Sequence, residues 1–407
     1  MKKSKKILAV HRYYWPDTPP YASMLRCIVR HWVEEGHNVD VLSSQPSYKK
    51  GVENDTFSKS ANLDGATVHR YELPNETGRP FLRLFNTLRF LLLIIYQALK
   101  GRYDVIMVST APPVVPGFAA NIASRLTGAK LIYHCMDLHP EIGKLSGEFS
   151  NPTVYRALER IDIATCRRAS RIIVLSEDMR KAIGKRDASL VSKVSVINNF
   201  SLPSEDKLSN SKSDWFEVKS KDKLRLFFAG NIGRFQGLEL FVEAIHELVQ
   251  SGNTHVELVF MGEGAALPEI TKLANSGPAK DLIHFVSHQP ISIAKRAMQA
   301  ADFGIVCLTP EIIRYAYPSK TLTYLEQGCP IFSVVEQDSE LAKMVETRQI
   351  GVSSPINDKA ALVYRLTELA NNREKCLTFS ENAKATYKEL FEIETCLEKW
   401  SHELKEL

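Results

Sequence analysis

The sequence predicts an α/β protein made of two doubly wound domains that face each other across a cleft. Two series of short apolar stretches alternate with amphipathic helical patterns, and a segment at 201–222 that is rich in Ser, Lys and Asp separates the two series. This alternation is typical of parallel sheets with helices on both faces. Because ligands of such sheets bind at the carboxyl ends of the strands, we expect function to lie in the loops there.

The first domain is predicted at 1–200 and the second at 223–381, with 201–222 as the linker. Strands of the first domain are predicted at 7–10, 39–43, 67–71, 105–109, 130–134, 171–175 and 194–197. Strands of the second domain are predicted near Leu224, Val256, Ile283, Phe303 and Ile331. The last segment, 382–407, has a helical pattern, and we expect it to pack back on the first domain.

Composition indicates a soluble protein in a reducing compartment. The 407 residues are 44% hydrophobic and 24% charged, which is enough apolar material for sizeable cores. The seven cysteines are odd in number and contain no C-x-x-C pair, which disfavours a disulfide framework or a zinc site and favours the cytoplasm. The basic start precedes an apolar run, 7–10, that is too short for a signal peptide, so secretion is not expected.

Charge divides the chain into two unlike halves. Residues 1–200 hold 29 Lys and Arg against 18 Asp and Glu, a net charge of +11, whereas residues 201–407 hold 23 against 29, a net charge of −6. A basic half suits an anionic membrane surface or an anionic acceptor, since each cation near such a surface contributes about 1 kcal/mol. Solvated charge without a partner is the alternative.

The segment 81–99 is the most apolar stretch of the chain. Arg83 and Arg89 interrupt it and leave an uncharged run, 90–99, that is about half the roughly 20 residues of a spanning helix. We therefore expect it not to cross a bilayer. Two alternatives remain open: a helix that lies in the interface of the inner membrane, and a buried core helix.

The strongest functional signal is a glycine-rich loop at 230–237. The apolar strand 224–229 leads into this loop, and an amphipathic helical pattern follows it. Glycines at such a junction let the backbone approach a ligand, and the helix start behind them suits a phosphate. An ordinary tight connection is the alternative.

Two further junctions of this kind follow in the second domain. Gly262 and Gly264 end the strand near Val256, and Pro318, Ser319 and Lys320 precede a helical stretch at 321–327. A proline, a capping hydroxyl and an ammonium at a helix start suit an anion, although a plain N-cap has the same pattern. Two phosphate-binding helix starts together indicate a nucleoside diphosphate.

At this point the motifs resemble those of a known family. The loop Gly-Asn-Ile-Gly-x-x-Gln-Gly, the Gly-x-Gly turn, the Tyr-Pro-Ser-Lys helix start and Gly-Cys-Pro at 328–330 are similar to family 4 glycosyltransferases of the GT-B fold. First-domain segments at 13–17, 35–42, 136–141, 174–177 and 196–199 are also similar to that family. The resemblance spans nearly the whole chain. It implies transfer of a sugar from a nucleotide sugar, commonly with retained anomeric configuration.

The chain departs from the family pattern at several positions. Asn231 and Gln236 stand where many members carry arginine and lysine, so the cationic charge falls to Arg234 and Lys320. Thr323 stands where the family has a glutamate for the ribose hydroxyls, and Glu326 is the nearest carboxylate. Many members also have a histidine in place of Met136, for which His134 and His139 are the candidate substitutes.

The resemblance implies a front-face substitution in which the leaving phosphate accepts the proton of the acceptor. The protein then stabilises charge on the departing diphosphate through amides near Gly230 and Gly233 and through its cations. Asp137 orients the acceptor hydroxyl in this interpretation, or caps a turn. The implied catalytic residues are Asp137, His139, Arg234 and Lys320; the donor-binding residues are Gly230, Asn231, Gly233, Gln236, Gly262, Gly264, Ser319, Thr323 and Glu326; the acceptor-binding residues are Tyr14 and Glu141.

Other classes are less consistent with the sequence. No Asp-x-Asp and no His/Cys cluster is present, so neither a metal nor another cofactor is expected beside the nucleotide sugar. The loop at 230 does not fit the dinucleotide fingerprint, and the scattered basic residues do not form a nucleic-acid stripe. A nucleotide-sugar epimerase and a non-catalytic partner subunit stay open. The expected protein is a cytoplasmic hexosyltransferase at the inner membrane surface that extends a surface polysaccharide or a lipid-linked glycan.

Overall fold

The computed structural model describes residues 4–17, 19–46, 57–74, 78–202 and 214–407. The described chain forms two compact units. The first comprises Met1–Leu202, Tyr315–Tyr317 and Ile393–Leu407, and the second comprises Pro203–Arg314 and Pro318–Glu392. Much of the predicted linker, 203–213, lies outside the described residues.

The first unit is built on a sheet of eight strands. These are β1 (Lys6–Val10), β2 (Asn38–Ser44), β3 (Ser60–Leu63), β4 (Ala66–Tyr71), β5 (Val105–Ser109), β6 (Lys130–Cys135), β7 (Arg171–Val174) and β8 (Val194–Val196). Their order in the sheet is β3-β4-β2-β1-β5-β6-β7-β8, and β3 alone among these eight described strands runs antiparallel to its neighbour. The central strands are almost continuously apolar because helices cover both faces.

Seven α-helices lie in the described residues of the first unit. They are α1 (Pro20–Glu34), α2 (Pro80–Gly101), α3 (Val115–Thr127), α4 (Glu141–Leu145), α5 (Pro152–Arg168), α6 (Glu177–Arg186) and, from the end of the chain, α14 (Ile393–Lys405). Side-chain caps begin two of them: Asn151 accepts the amides of Thr153 and Val154 for α5, and Ser176 accepts the amide of Met179 for α6. Trp400 of α14 packs edge to face on Trp32 of α1 with ring centroids 5.9 Å apart.

The second unit has a parallel sheet of six strands. These are β9 (Leu224–Ala229), β10 (Val256–Met261), β11 (Ile283–Val286), β12 (Phe303–Cys307), β13 (Ile331–Val335) and β14 (Gly351–Pro355), in the order β11-β10-β9-β12-β13-β14. Its helices are α7 (Glu239–Gln250), α8 (Leu267–Asn275), α9 (Ile291–Ala300), α10 (Lys320–Glu326), α11 (Glu340–Thr347), α12 (Lys359–Asn371) and α13 (Lys375–Leu390).

Two strands and one helix boundary were not predicted. The antiparallel edge strand β3 and the strand β14 contain serines and lack the apolar run by which the other strands were predicted. In β14 the Ser353 hydroxyl lies 2.9 Å from the Ser333 hydroxyl of β13. The predicted terminal helix 382–407 is two helices, because the chain turns after Leu390. Only α14 belongs to the first unit.

The helix α2 buries one face and exposes the other. Its large exposed apolar side chains recur every three or four residues: Phe81, Leu84, Phe85, Leu88, Leu92, Tyr96 and Leu99. Phe90, Ile94 and Ala98 lie in the core on the opposite face. The core-helix interpretation therefore accounts for one face only. By length and composition alone, the helical segment Phe81–Gly101 is long and apolar enough to cross a membrane.

Candidate functional site

The sheet of the second unit opens between β9 and β12, where the strand order changes direction. These two strands pair only at Leu226–Phe303 and Phe227–Gly304. Beyond that point the Tyr324 hydroxyl of α10 takes the place of a neighbouring strand: it accepts the Ala229 amide at 3.0 Å and donates to the Phe227 carbonyl at 3.2 Å. Crevices at such switch points are the usual ligand sites of doubly wound sheets.

The two glycine loops of this unit pack backbone on backbone. The Ile232 amide donates to the Glu263 carbonyl at 2.8 Å. A Cβ atom at Gly262 would lie 2.1 Å from the Gly230 carbonyl oxygen, and one at Gly264 would lie 2.3 Å from the Ile232 oxygen. Both positions therefore require glycine for close approach, and Gly262 also has a left-handed φ of 138°.

Replacing Gly262 with alanine should destabilise the protein by about 2–4 kcal/mol, since the clash is with backbone rather than a movable side chain. Urea unfolding of the variant measures this loss. Gly252→Ala is the matched control, because that glycine also has a positive φ, of 87°, but no atom lies within 4 Å of its added Cβ. Equal losses in the two variants would contradict the packing argument.

The loop at 230–237 leaves some of its amides unpaired. The Gly230 amide donates to the Met261 carbonyl at 3.0 Å, which corrects the expectation that it faces a phosphate. Within the described residues, the amides of Asn231, Gly233 and Arg234 donate to no protein acceptor. The Arg234 side chain is exposed and makes no ion pair with any described residue. These groups are available to an anion.

Lys320 links the glycine loop at 230–237 to the start of α10, the two junctions that were predicted to bind phosphate. Its Nζ donates to Gln236 Oε1 at 2.8 Å and lies 3.6 Å from the centroid of the Phe228 ring. No carboxylate among the described residues pairs with it. Burial lowers the pKa of this ammonium to about 7, because the charged form loses its water. A desolvated cation without a counter-ion is suited to receive a phosphate.

Other predicted donor residues of α10 are placed differently. Ser319 is exposed and its side chain does not cap the helix, which corrects the predicted N-cap. Thr323 is half-buried and makes no side-chain hydrogen bond with a described residue. Glu326 lies 2.9 Å from the Nζ of Lys295 on α9, so its carboxylate already has a cationic partner. The structure therefore does not bring Glu326 to the Lys320–Gln236 pair.

In the first unit Asp137 lies two residues after the end of β6. Its carboxylate is half-buried and accepts no hydrogen bond from a described residue, which removes the turn-capping alternative. Burial raises the pKa of this carboxyl from 3.8 to about 6. Its backbone is held in place: the amide lies 3.5 Å from Thr110 Oγ1, and the neighbouring Leu138 amide donates to Tyr315 O at 2.8 Å.

Arg186 of α6 holds the segment that follows Asp137. It makes a bidentate ion pair with Glu141, donates to Asp162 at 2.6 Å and donates to the His139 carbonyl at 2.7 Å. The pair gives Glu141 a cationic partner within the protein, and its binding of an acceptor stays a prediction. Sequence reasoning missed Arg186, because it lies 45 residues from Glu141 and no local motif marks it.

Three predicted residues of the first unit are buried or half-buried. Tyr14 lies in the core with its hydroxyl unpaired, which corrects its acceptor-binding assignment. His134 is also in the core, where its Nδ1 lies 2.7 Å from the Tyr21 hydroxyl, so it cannot replace a histidine beside Asp137. His139 is half-buried, its Nδ1 has no partner, and burial lowers its pKa to about 4. It is neutral at physiological pH.

The described residues contain no group of three or more His, Cys, Asp or Glu side chains suited to hold a metal ion. Lys320 and Arg234 are the cations that the described residues place at the glycine loop and at the start of α10. Their arrangement can bind a phosphate, and it can stabilise negative charge that develops on a leaving group.

Two sequence families match the chain over most of its length. Residues 21–199 match the glycosyl transferase 4-like domain, and residues 210–386 match the glycosyl transferases group 1. Among curated proteins, the chain is 26% identical over 299 residues to the probable glycosyltransferase WbjE of Pseudomonas aeruginosa, which covers 72% of each chain. It is 22% identical over 405 residues to an uncharacterised glycosyltransferase of Methanocaldococcus jannaschii, which covers 95% of this chain and 94% of the relative.

Solved structures show the same fold. HepE of Anabaena, crystallised with UDP, superposes with a TM-score of 0.70 at 15% identity and covers 99% of this chain and 100% of its own. WaaG, a glycosyltransferase involved in lipopolysaccharide biosynthesis, superposes with a TM-score of 0.67 at 14% identity and covers 97% of this chain and 98% of its own. These likenesses establish the architecture.

Proposed function

Because the chain belongs to the family 4-like glycosyltransferases of the GT-B fold, we propose that it transfers a hexose from a nucleoside diphosphate sugar to a glycan or lipid-linked acceptor. The proposal includes retention of the anomeric configuration and a place in the synthesis of a surface polysaccharide. HepE was crystallised with UDP, which supports a nucleotide donor by analogy, and WaaG is involved in lipopolysaccharide biosynthesis, which supports the surface polysaccharide by analogy.

One observation carries the proposal: a desolvated ammonium, Lys320, lies without a carboxylate partner against Gln236 of the glycine loop. Holding an unpaired charge in this way costs stability, so the site is explained best by a ligand that brings the opposite charge. The free amides of Asn231 and Gly233 and the exposed guanidinium of Arg234 add donors for the same diphosphate. Together they would stabilise the leaving group without a metal ion.

Asp137 is the proposed partner of the acceptor in the first unit. Its carboxylate has no hydrogen-bond donor of its own among the described residues, so it is free to accept one from an acceptor hydroxyl. In a front-face substitution the leaving phosphate takes the acceptor proton, and Asp137 only orients the hydroxyl. His139, neutral and with an unpaired Nδ1, is the second candidate contact.

The test is a calorimetric titration of the full chain with a panel of UDP, GDP, ADP and dTDP sugars, followed by mass spectrometry of reactions with candidate acceptors. We expect one donor class to bind and its sugar to appear on an acceptor. The anomeric proton coupling in the product reports retention or inversion. Absence of binding by every nucleotide sugar would overturn the proposal.

A non-catalytic partner subunit remains the second candidate, because Thr323 replaces the usual ribose ligand and Lys295 engages Glu326. The same titration distinguishes the two functions. A transferase binds a donor and hydrolyses or transfers it, whereas a partner subunit leaves every donor intact. An epimerase would convert the donor sugar without any acceptor.

We place the protein in the cytoplasm and on the inner face of the membrane. The first half of the chain carries the net charge of +11, and α2 exposes an apolar stripe with Arg89 among its exposed residues. An amphipathic helix of this kind inserts its apolar face at the level of the acyl chains, while its cations meet anionic headgroups.

Leu88→Gln combined with Leu92→Gln should weaken binding to phosphatidylglycerol vesicles by roughly tenfold or more, since two buried leucine contacts with the acyl region are lost. Flotation of vesicles in a density gradient measures the bound fraction. Tyr364→Gln with Leu377→Gln, two equally exposed apolar residues of the second unit, is the control pair. Similar binding by both double variants would contradict a role for α2.

A further inference from the structure

A second cationic site lies at the amino edge of the sheet in the first unit. The pocket has a volume of about 520 Å³ and is lined by the residues that begin β6 and β7, the ends of α3 and α5, and the end of the chain. Six of its lining residues are cations: Arg125, Lys130, Arg167, Arg168, Arg171 and Lys193. Of the described residues that line it, Glu406 is the one carboxylate side chain.

Four of these cations have no carboxylate partner. Arg167 pairs with Asp187 at 2.8 Å and Arg171 with Glu403 at 2.8 Å. The others hydrogen-bond only to neutral groups or to none of the described residues: Arg125 donates to Asn121 Oδ1, Arg168 to the Ser124 carbonyl and Lys193 to the Arg167 carbonyl, and Lys130 has no partner.

A purely structural role does not account for all of this charge. The carboxyl ends of α3, α5 and α14 meet near the pocket, and each carries about half a negative charge, so together they offset fewer than two positive charges. Glu406 and the terminal carboxylate of Leu407 offset two more of the four cations that have no carboxylate partner. An excess of positive charge therefore remains in a concave site, where it attracts an anion.

Arg168 supplies the second observation. Its Nε is buried and donates to no described acceptor, although its Nη2 donates to the Ser124 carbonyl at 2.9 Å. A buried donor without an acceptor costs about 1–3 kcal/mol, so such groups are rare unless a ligand or water completes them. A phosphate oxygen is the acceptor that a guanidinium binds best.

We propose that this pocket binds a phosphate-bearing anion with at least two negative charges, at a site separate from the sugar-transfer site. Lys130 begins β6, and Asp137 follows its other end, so the two sites are roughly 20 Å apart along the strand. The bound phosphate is therefore not the reacting group. It belongs either to a soluble phosphate compound or to the headgroup of an anionic lipid.

The test compares two double variants of the full chain. Arg125→Glu with Lys130→Glu reverses two exposed charges of the pocket, and Arg156→Glu with Lys181→Glu makes the same change in charge at exposed positions of α5 and α6 that do not line the pocket. Both pairs leave the Arg168 contact with α3 in place, so both should fold, as circular dichroism and thermal unfolding will show.

Titration with sodium pyrophosphate is the first arm, and flotation with phosphatidylglycerol vesicles is the second. We expect the pocket variant to lose at least tenfold in affinity in one arm and the control pair to lose less than threefold. A loss in the first arm identifies a soluble phosphate compound, and a loss in the second identifies a lipid headgroup. If neither arm separates the two pairs, the proposal is wrong.

Pyrophosphate also resembles the proposed sugar donor, so the two sites must be told apart. Lys320→Ala should leave unchanged the part of the pyrophosphate binding that depends on the pocket, because Lys320 belongs to the other unit. A pyrophosphate component that disappears with Lys320→Ala and not with the pocket variant would assign all binding to the donor site and overturn this inference. The proposed function would then be unaffected.

Discussion

Lys320→Ala should weaken binding of the nucleotide sugar by about 1–3 kcal/mol, which is roughly 5-fold to 150-fold in Kd. The ammonium is the buried cation of the site, and its loss removes a charge-assisted contact with the diphosphate. Calorimetry with the donor identified in the panel measures the effect. Lys272→Ala, an exposed lysine of the same unit, is the control. Unchanged affinity would contradict the role of Lys320.

The same lysine should reduce the stability of the free protein. Its pKa falls from 10.5 to about 7 on folding, so between these two values the unfolded chain binds more protons and stability rises with pH. Lys320→Met, which keeps the volume and removes the charge, should be more stable than the wild type at pH 7 by about 1–3 kcal/mol while losing donor affinity. A variant that is less stable than the wild type and binds the donor equally well would contradict this role of Lys320.

Donor affinity should also depend on pH through Lys320. Of the two forms of the Lys320 side chain, only the ammonium carries a charge that attracts the diphosphate, and the neutral amine predominates in the free protein above pH 7. We expect affinity to fall by up to tenfold per pH unit above that point, until the pKa of the bound state is reached. The Lys320→Met variant should lack this dependence of donor affinity on pH. The comparison therefore separates the titration of Lys320 from any titration of the nucleotide.

Asp137→Asn is expected to lower kcat by roughly 100-fold, because a displaced acceptor hydroxyl is no longer aligned with the sugar. Donor affinity should stay within about threefold, since the residue lies in the other unit and its proposed partner is the acceptor. The fall of kcat at acidic pH, near the carboxyl pKa of about 6, should be absent from the variant because the carboxyl group is gone. Asp281→Asn, an exposed aspartate, is the matched control.

Stability gives an independent readout of Asp137. Its pKa rises from 3.8 to about 6 on folding, so the folded protein binds more protons within this window and stability falls as pH rises through it. Asp137→Asn should therefore be more stable at pH 7 by about 1–3 kcal/mol. If the variant lost both stability and activity, the aspartate would be a structural residue.

The donor side of the candidate site was predictable because its signals are local. The glycine loop at 230–237 and the Pro-Ser-Lys helix start are short motifs, and in the structure Lys320 of the helix start donates a 2.8 Å hydrogen bond to Gln236 of the loop. The loop amides were predicted less well. That of Gly230 is taken by Met261, which no spacing along the chain could indicate.

The acceptor side was predicted poorly because it depends on distant contacts. Glu141 and Tyr14 follow the family pattern, yet Arg186 pairs with the first and the core encloses the second. The apolar stretch of α2 was evident, whereas the face it leaves exposed depends on its packing against α3 and the sheet. The cationic pocket escaped prediction altogether, since its residues come from five separate segments.

Periodicity and turn chemistry are properties of neighbouring residues, so the amino-acid order alone sufficed for the two parallel sheets, the glycine junctions and the family. Which charges are desolvated, paired or left open depends on residues that folding brings from elsewhere in the chain. Lys320 without a carboxylate partner, Glu326 paired with Lys295, and the unpaired Nε of Arg168 are all consequences of burial and long-range packing. Removal of water from a side chain determines its charge state and its need for a partner, and only the tertiary structure determines which side chains lose their water.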